Sequence, residues 1–458
     1  SREQRRLTRR TTIACSQVCR YWRHAALGYN RLWVHVVDFQ AYSLQRNLKY
    51  IDLCHPYPFN VGHHDNPLQL PGQPGLFDVL LHLKDRILEW NVDCEDVSLC
   101  RSRWYRIFAS SLMSTEGFHW KGRISSSGDE QEMDIIGHRF PMPLQRLSLT
   151  ACNLLLYNMR LHRLTELHVE DLVDTSSAPD VPQWLDLLRG APNIQLLSIQ
   201  NSVRHQENQS IPPNYASLDM PCLRLISLGE KEKGDGRSFS LLPFLYPHPL
   251  CGFSSILPDV IVDAYLGFLE DFVRRMLSIT LNDSSICDFP LHLYVGRNSR
   301  IAIGNVHDPE YTLDWNGPQD SKDVLEFLNS RSYNVISLIS HSSFSRSFFD
   351  NISIFSDIVY HKVTALHCYI SDEANAAIQV QIPDRLVDII PFRVDGLPNV
   401  KVATFNGQRS FTYVVAALSD NDAVIPALPS LETIAFRNVQ VHEQLVFFDD
   451  LLAYLKWR

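Results

Sequence analysis

Apolar residues recur along this chain in groups of three, at positions 1, 4 and 6 of a short segment. Four groups are clear, and their first residues are 20, 30 and 29 positions apart. A β-strand points alternate side chains to opposite faces, so this spacing predicts a short strand in each group. Positions 4 and 6 are expected to enter a core, and positions 3, 5 and 7 to face the other side. The four groups are Leu144, Leu147, Leu149; Leu164, Leu167, Val169; Ile194, Leu197, Ile199; and Leu223, Ile226, Leu228.

Weaker groups extend this spacing in both directions. They are Met276, Ile279, Leu281; Tyr333, Ile336, Leu338; Val363, Leu366, Cys368; Val400, Ala403, Phe405; Leu431, Ile434, Phe436; and, upstream, Ile87, Trp90, Val92. Helix-like runs lie between several groups, at 181–189, 260–277 and 322–328, and residues 451–458 also have a helical pattern. Residues 229–258 contain glycine and proline turn signals and are predicted to form a long loop.

The first group also fits the template of a known repeat. Leu144, Leu147, Leu149, Cys152 and Leu154 fill positions 1, 4, 6, 9 and 11 of the leucine-rich repeat. A single repeat cannot bury its apolar side, so stacked copies are needed to complete a core. The sequence therefore predicts an α/β leucine-rich-repeat-like solenoid, an irregular horseshoe, over residues 38–458.

A conventional α/β domain with a parallel sheet is the competing interpretation, because helices alternating with apolar strands describe it too. Three observations favour the solenoid. The apolar groups share one register, a chain of 458 residues would otherwise be expected to divide into several domains, and no phosphate-binding glycine loop precedes a helix.

The amino-terminal residues have a helical pattern instead. An apolar stripe recurs at i, i+3, i+4, i+7 and i+11, which predicts one amphipathic helix. The stripe comprises Cys15, Val18, Cys19, Trp22 and Ala26. Gly28 is expected to cap the helix in a left-handed conformation, and Leu32 and Trp33 to fold back onto the stripe, so that the unit closes near residue 36.

The string Val18-Cys19-Arg20-Tyr21-Trp22-Arg23, followed by Leu32-Trp33, resembles the second half of an F-box. With the repeats, it is similar to fungal F-box proteins that carry irregular leucine-rich repeats. The resemblance implies a partial F-box at 1–37 that contacts a Skp-type adaptor. Residues assigned to the F-box core or the adaptor contact are Val18, Cys19, Trp22, Leu32 and Trp33. The family's Leu-Pro-containing first helix is not found upstream, so the chain is expected to be a fragment.

Composition narrows the class of protein. The chain is 45% hydrophobic and carries a formal net charge of −9, which argues against general nucleic-acid binding. It has no apolar run long enough to cross a membrane, and no secretory signal is expected. Ten scattered cysteines without a Cys-x-x-Cys pair indicate reduced thiols. A cytoplasmic or nuclear protein is expected.

Signatures of catalysis are absent. The common nucleotide-binding, zinc-protease and hydrolase motifs do not occur in the sequence, so the chain is expected not to be an enzyme and to need no cofactor. His63-His64-Asp65 lacks a second group of metal ligands and is interpreted as a polar loop. Cys15 and Cys19 are interpreted as small buried apolar residues.

A partner-binding groove is the remaining prediction. Strand positions 3, 5 and 7 give the candidate residues Glu166, His168, Glu170, Asp171, Ser198, Gln200, Thr280 and Asn282. Glu166, Glu170 and Asp171 form an acidic cluster that is expected to meet a basic segment of the partner. The resemblance implies a substrate receptor of a Skp/cullin/F-box ubiquitin ligase. The alternative is a repeat scaffold whose F-box remnant recruits no adaptor.

Overall fold

A computed structural model gives the fold of 458 residues. It describes residues 2–63, 66–70, 75–94, 115–122, 144–151, 161–172, 178–204, 217–230, 236–247, 251–257, 263–282, 291–296, 300–304, 335–340, 363–369, 399–406 and 430–437. The chain divides into two compact units, residues 1–223 with 244–246 and residues 224–243 with 247–458. The predicted segment 1–37 therefore shares a unit with the residues after it, and its boundary stays a prediction.

The first unit begins with helices. They are α1 (Arg2–Cys15), α2 (Arg20–Gly28), a 3-10 segment (Asn30–Val36) and α3 (Leu44–Leu53). The prediction of a single helix through Cys15 and Ala26 is wrong, because α1 ends at Cys15 and α2 begins at Arg20. Cys19 caps α2 by accepting a hydrogen bond from the Trp22 backbone N–H at 3.5 Å. Such a cap satisfies an N–H that would have no partner in the first helical turn.

The end of α2 also differs from the expectation. Gly28 is the last helical residue, and Tyr29 follows it with φ −105° and no left-handed turn. The Tyr29 N–H donates to the Ala26 carbonyl at 3.3 Å, which closes the helix with a tight 3-10 turn. The left-handed Gly28 cap is therefore wrong, since an α-to-3-10 transition already supplies the hydrogen bond that such a cap would provide.

A parallel sheet follows these helices in the first unit. Its strands are β1 (Phe59–Val61), β2 (Leu68–Leu70), β3 (Ile87–Cys94), β4 (Gly117–Gly122), β5 (Arg146–Thr150), β6 (Glu166–Glu170) and β7 (Leu196–Gln200). Their order is β1-β3-β4-β5-β6-β7, and β2 also pairs with β3. From β3 to β7, each strand pairs in parallel with the next one in the chain. Two short strands, β8 (Leu218–Met220) and β10 (Leu245–Pro247), pair with each other.

The strand pairing in the first unit confirms that the apolar groups share one register. Leu147 pairs with Leu167, which pairs with Leu197. All three side chains are almost completely buried. The apolar positions predicted to be equivalent thus lie side by side in one core row.

Further helices of the first unit are α4 (Leu76–Leu83), a 3-10 turn (Lys84–Arg86) and α5 (Val181–Arg189). The last confirms the predicted helix at 181–189. Asp180 and Gln183 form a reciprocal capping box at its start. Trp184 is fully buried and donates its indole N–H to the Ser202 carbonyl at 3.1 Å, which ties α5 to the segment after β7.

The second unit has a sheet with one reversal. Its elements are β9 (Leu225–Gly229), a 3-10 segment (Arg237–Phe244), β11 (Gly252–Leu257), α6 (Asp263–Asn282), β12 (Leu291–Gly296), β13 (Arg300–Gly304), β14 (Val335–Ser340), β15 (Val363–Tyr369), β16 (Val402–Asn406) and β17 (Thr433–Arg437). The strand order is β9-β11-β14-β13-β12-β15-β16-β17. β13 is antiparallel to both neighbours, whereas the other pairs within this order are parallel.

Most predicted strands of the second unit are confirmed, at 335–340, 363–369, 402–406 and 433–437. One further prediction for this part of the chain is wrong. The 229–258 segment is not one long loop, because the 3-10 segment, β10 and β11 lie within it. The helices predicted at 322–328 and 451–458 lie outside the described residues.

The strand predicted at Met276, Ile279 and Leu281 is also wrong, because these residues belong to α6. The helix buries a face with 3.6-residue spacing, at Leu269, Phe272, Val273 and Met276. Phe272 packs on Phe253 of β11, with ring centroids 5.1 Å apart. That helical packing takes Met276 into the core of the second unit.

The chain is thus an α/β protein whose described sheets are mostly parallel. Within the described residues, no helix is long and apolar enough to span a membrane.

The residues that follow β5, β6 and β7 share an uncommon backbone conformation. Ala151, Asp171 and Asn201 have φ values of 49°, 60° and 46°. The Ala151 N–H donates to the Glu170 carbonyl, and the Asp171 N–H to the Gln200 carbonyl, at 2.9 and 3.0 Å. The same left-handed turn therefore ends three successive strands, although Ala151 has no side chain suited to it.

This geometry predicts the effect of a glycine at position 151. Ala151→Gly is expected to stabilise the protein by about 0.4–1 kcal/mol, because glycine adopts a positive φ without strain. Urea denaturation measures the change in the free energy of unfolding. Ala25→Gly, in the exposed interior of α2, is the control and should destabilise by about 0.5–1 kcal/mol. Destabilisation by both changes would contradict the left-handed turn.

Candidate functional site: two protein-interaction surfaces

Large apolar side chains are exposed mainly near the amino terminus. Among the described residues, seven of the ten large hydrophobic side chains that are exposed fall within residues 7–32. We call this set the amino-terminal surface: Leu7, Val18, Tyr21, Trp22, Leu27, Tyr29 and Leu32. Their exposure makes these seven residues the candidates for a protein interaction site.

Positive charge accompanies these apolar residues. Residues 4–37 contain seven arginines and no aspartate or glutamate, whereas the whole chain carries a net charge of −9. Arg6, Arg10, Arg20, Arg23 and Arg31 are exposed. The amino-terminal surface is therefore complementary to a partner that combines an apolar pocket with an acidic rim.

The two tryptophans of the F-box-like string have different environments. Trp22 is 54% exposed, whereas Trp33 is only 4% exposed. The Trp33 indole N–H donates to the Ala26 carbonyl at 2.8 Å, and its ring stacks on Tyr50 with centroids 5.8 Å apart. Trp33 thus anchors α2 to α3, while Trp22 is available to a partner.

The other residues of the string are also exposed. Val18, Cys19 and Leu32 are exposed, and Cys15 is half-buried. A core role for Val18, Trp22 and Leu32 is therefore wrong, and so is the interpretation of Cys19 as buried. The break between α1 and α2 explains this, because the apolar stripe no longer runs along one continuous helix.

Thiol environments differ in the same way. Cys54 and Cys251 are buried. Burial raises the pKa of the Cys54 thiol, with the nearby Arg86 charge opposing the shift, and burial strongly raises the pKa of the Cys251 thiol. Both groups therefore remain protonated thiols at neutral pH.

Alkylation by iodoacetamide should consequently discriminate between them. At pH 8 the thiol of Cys19 is expected to react about tenfold or more faster than those of Cys54 and Cys251, because the thiolate is the nucleophile and must be accessible. Peptide mass spectrometry of timed samples measures each rate. Comparable rates at Cys19 and Cys54 in the native protein would contradict the described packing.

A buried ion pair joins α1 to the segment that precedes α3. Arg9 of α1 pairs with Asp38, and both side chains are less than one tenth exposed. The Asp38 backbone N–H donates to the Asn47 side-chain oxygen at 2.8 Å, and the Asn47 amide donates back to the Asp38 carbonyl at 3.0 Å. These contacts fix α1 relative to α3.

The second surface is the polar face of the sheet formed by β3–β7. Parallel register places side chains in rows across this face. One row joins His119, Ser148, His168 and Ser198, and the next joins Lys121, Thr150, Glu170 and Gln200. The predicted strand positions of Glu166, His168, Glu170, Ser198 and Gln200 are confirmed, since all five lie in β6 or β7, and their part in binding a partner stays a prediction.

Not every predicted groove residue belongs to this face. Thr280 and Asn282 lie in the last turn of α6, so the predicted strand positions for these two residues are wrong. Asp171 follows β6, and its carboxylate accepts a hydrogen bond from the Asn201 amide at 3.1 Å. Ser198 is completely buried instead of lining an open groove.

Sequence reasoning missed a charged cluster at the start of this face. Glu89 accepts a hydrogen bond from the Asn60 amide at 2.8 Å and lies 3.1 Å from His119 Nε2 and 3.6 Å from Arg146 Nη2. Gly117 lies between them, and a Cβ there would come within 3.0 Å of the Glu89 side chain. The sequence could have predicted the position of Glu89, because Trp90 and Val92 enter the core and Glu89, one residue before Trp90, must then lie on the opposite, polar face.

His168 and Glu170 form a looser pair in the middle of this face. His168 Nε2 lies 3.8 Å from Glu170 Oε2. Ser198 is the register partner of His168, but its hydroxyl makes no hydrogen bond within the described part of the chain. The three groups are therefore adjacent without forming a connected nucleophile, base and carboxylate.

Metal binding has no support in this part of the protein, since the described residues contain no group of three or more His, Cys, Asp or Glu side chains placed to hold an ion.

No protein-family model matches the sequence, and no curated protein matches it either. The F-box and leucine-rich-repeat resemblance therefore stays a prediction from the residues that carry it.

Proposed function

We propose that this protein is an F-box-type substrate receptor of a Skp/cullin/F-box ubiquitin ligase. In this proposal the amino-terminal surface binds the Skp-type adaptor, and the polar face of the sheet binds a protein substrate. Ubiquitin transfer belongs to other subunits of the complex. The chain itself holds no cofactor and works in the cytoplasm or nucleus.

One observation carries the proposal. Val18, Tyr21 and Trp22 are 70%, 79% and 54% exposed, although the sequence around them matches the F-box string. Exposed aromatic and apolar side chains surrounded by arginines are typical binding anchors. A partner would cover these side chains and neutralise the arginines.

The repeat architecture is also part of the proposal. Strands β3–β7 follow one another in chain order, equivalent apolar residues share rows, and three strands end in the same left-handed turn. These features support a leucine-rich-repeat-like horseshoe. The antiparallel β13 departs from a regular solenoid and would be an insertion into it.

Titration of a purified Skp-type adaptor tests the first half of the proposal. Trp22→Ala is expected to weaken adaptor binding about tenfold or more, because central aromatic anchors typically contribute 2 kcal/mol or more to binding. Tyr57→Ala, at an exposed aromatic residue outside the amino-terminal surface, should leave the affinity unchanged. Equal affinities of the two variants would contradict the proposed adaptor site.

A scaffold without an adaptor is the second candidate function. Trp33 and Val36 are buried, and the Arg9 and Asp38 pair joins α1 to the first unit. These contacts would equally suit a helical cap on the first repeats. Under this alternative the protein binds a partner through its sheet and takes no part in ubiquitin transfer.

A further inference from the structure

A cleft of about 370 Å³ lies at the edge of the sheet in the first unit. We call it the edge cleft, and its lining residues are Gln145, Arg163, Thr165, Asn193, Gln195 and Cys222. We infer that the edge cleft binds a short peptide segment of a partner through an aspartate or glutamate side chain of that segment. The inference goes beyond the proposed function, in which the polar face of the sheet holds the substrate.

The repeated apolar groups build this cleft. Three of its residues directly precede strands β5, β6 and β7, and the other three directly precede the first apolar residue of a group. These two sets are Gln145, Thr165 and Gln195, and Arg163, Asn193 and Cys222, respectively. Because the strands are parallel and in register, equivalent positions of successive groups meet at one edge of the sheet.

Hydrogen bonds hold the walls of the cleft together. The Thr165 hydroxyl donates to the Gln145 carbonyl at 3.0 Å, and the Asn193 amide donates to the His162 carbonyl at 2.8 Å. The Gln195 backbone N–H donates to the Thr165 carbonyl at 2.8 Å. The cleft is therefore formed before a ligand arrives, which lowers the entropic cost of binding. Its volume lies within the range of about 300–1,000 Å³ that is usual for ligand sites.

Arg163 provides the charge. It is the one charged residue among the six that line the cleft, it is exposed, and it makes no ion pair or hydrogen bond with any residue that the structure describes. A guanidinium presents N–H donors in a planar fork that suits a carboxylate. A single cation suits a carboxylate better than a phosphate group, which is typically recognised by clusters of arginines.

Two glutamine amides provide the contacts to a peptide backbone. The side chains of Gln145 and Gln195 are exposed and make no hydrogen bond within the described part of the chain. Each amide both donates and accepts, as a peptide group does. The two residues precede strands that are two spacings apart, about 9.6 Å, and an extended chain advances about 3.3 Å per residue. A segment of about three residues therefore reaches both amides.

Peptide titration tests the inference on the full chain. The probe is fluorescein-labelled Gly-Glu-Gly-Glu-Gly, compared with the peptide in which glutamine replaces both glutamates. Fluorescence anisotropy at low salt should show the glutamate peptide binding at least about threefold more tightly, because glutamine keeps the shape but lacks the charge. The net charge of −9 on the chain opposes a general attraction of acidic peptides, so a preference of this sign requires a local site.

Substitutions then locate the site. Arg163→Gln should weaken glutamate-peptide binding about threefold to tenfold and remove the preference over the glutamine peptide. Gln195→Ala should weaken the binding of both peptides about twofold to fivefold, because it removes a backbone contact. Arg10→Gln, at an exposed arginine of α1, is the control and should leave both affinities unchanged.

Cys222 reports occupancy of the cleft directly. Its thiol is free and half-buried in the lining, whereas Cys19 is exposed on the amino-terminal surface side of the chain. Saturating glutamate peptide should slow the alkylation of Cys222 by iodoacetamide at least about threefold and leave the rate at Cys19 unchanged, because alkylation requires access to the thiol. Peptide mass spectrometry of timed samples measures both rates.

Any of four results would overturn the inference: no binding of the glutamate peptide, equal binding of the glutamine peptide, unchanged affinity in Arg163→Gln, or no protection of Cys222. Trp22→Ala separates this inference from the adaptor proposal. That variant should keep its glutamate-peptide affinity, so loss of adaptor binding and loss of peptide recognition are measured independently.

Discussion

Replacing Trp33 by alanine is expected to lower the free energy of unfolding by about 3–5 kcal/mol, the usual cost of truncating a buried tryptophan. The variant loses the indole hydrogen bond to Ala26 and the stacking on Tyr50, and it leaves a cavity between α2 and α3. Urea denaturation measures the change. Hydrogen exchange across Leu44–Leu53 should show faster opening of α3, because Tyr50 loses its packing partner.

Trp22→Ala is the matched control for this prediction. The two residues have the same chemistry and lie in the same string, but Trp22 is half-exposed. Its replacement should change the free energy of unfolding by less than about 1 kcal/mol, as is usual for surface substitutions. Similar destabilisation by the two variants would mean that Trp22 is a core residue and not a binding anchor.

Removing Arg9 is expected to have the second large effect. Arg9→Met should destabilise the first unit by about 3–5 kcal/mol, because it leaves the Asp38 carboxylate buried without its partner charge. The same carboxylate accepts backbone hydrogen bonds from Gln40 and Ala41 at 2.9 and 3.1 Å. Loss of the pair therefore also strains the turn that leads into α3.

Arg10→Met is the control, since Arg10 is the neighbouring arginine on α1 and is exposed. It should change the stability by less than about 0.5 kcal/mol. Adding Asp38→Asn to Arg9→Met should recover part of the loss, because the neutral amide removes the uncompensated charge. Equal urea midpoints for Arg9→Met and Arg10→Met would show that the buried pair does not fix α1.

Strand positions could be predicted from the sequence because each apolar group repeats the same spacing, at positions 1, 4 and 6. Leu147, Leu167 and Leu197 were placed in phase by spacing alone, and their register confirms it. Met276 shows the limit of this reasoning. Positions 1 and 4 of the template are also neighbours on a helix, so a three-residue group cannot distinguish the two until Leu269, Phe272 and Val273 are considered with it.

Surfaces were harder to predict from the sequence than strands. An amphipathic stripe shows which side chains are to be buried, but not whether the same chain or a partner buries them. Trp22 lies on α2 and Trp33 in the 3-10 segment Asn30–Val36, and only Trp33 is buried, by its contacts with Ala26 and Tyr50. The burial of Ser198 likewise depends on packing across strands that its own neighbours in the sequence do not specify.

Adaptor binding tests the central claim most directly. The affinity of a purified Skp-type adaptor is measured for this chain and for the same chain with a generic F-box first helix placed before Ser1, each with and without Trp22→Ala. The proposal predicts binding by at least one of the two proteins and its loss in Trp22→Ala. Absence of binding by both would contradict the receptor function and favour the scaffold.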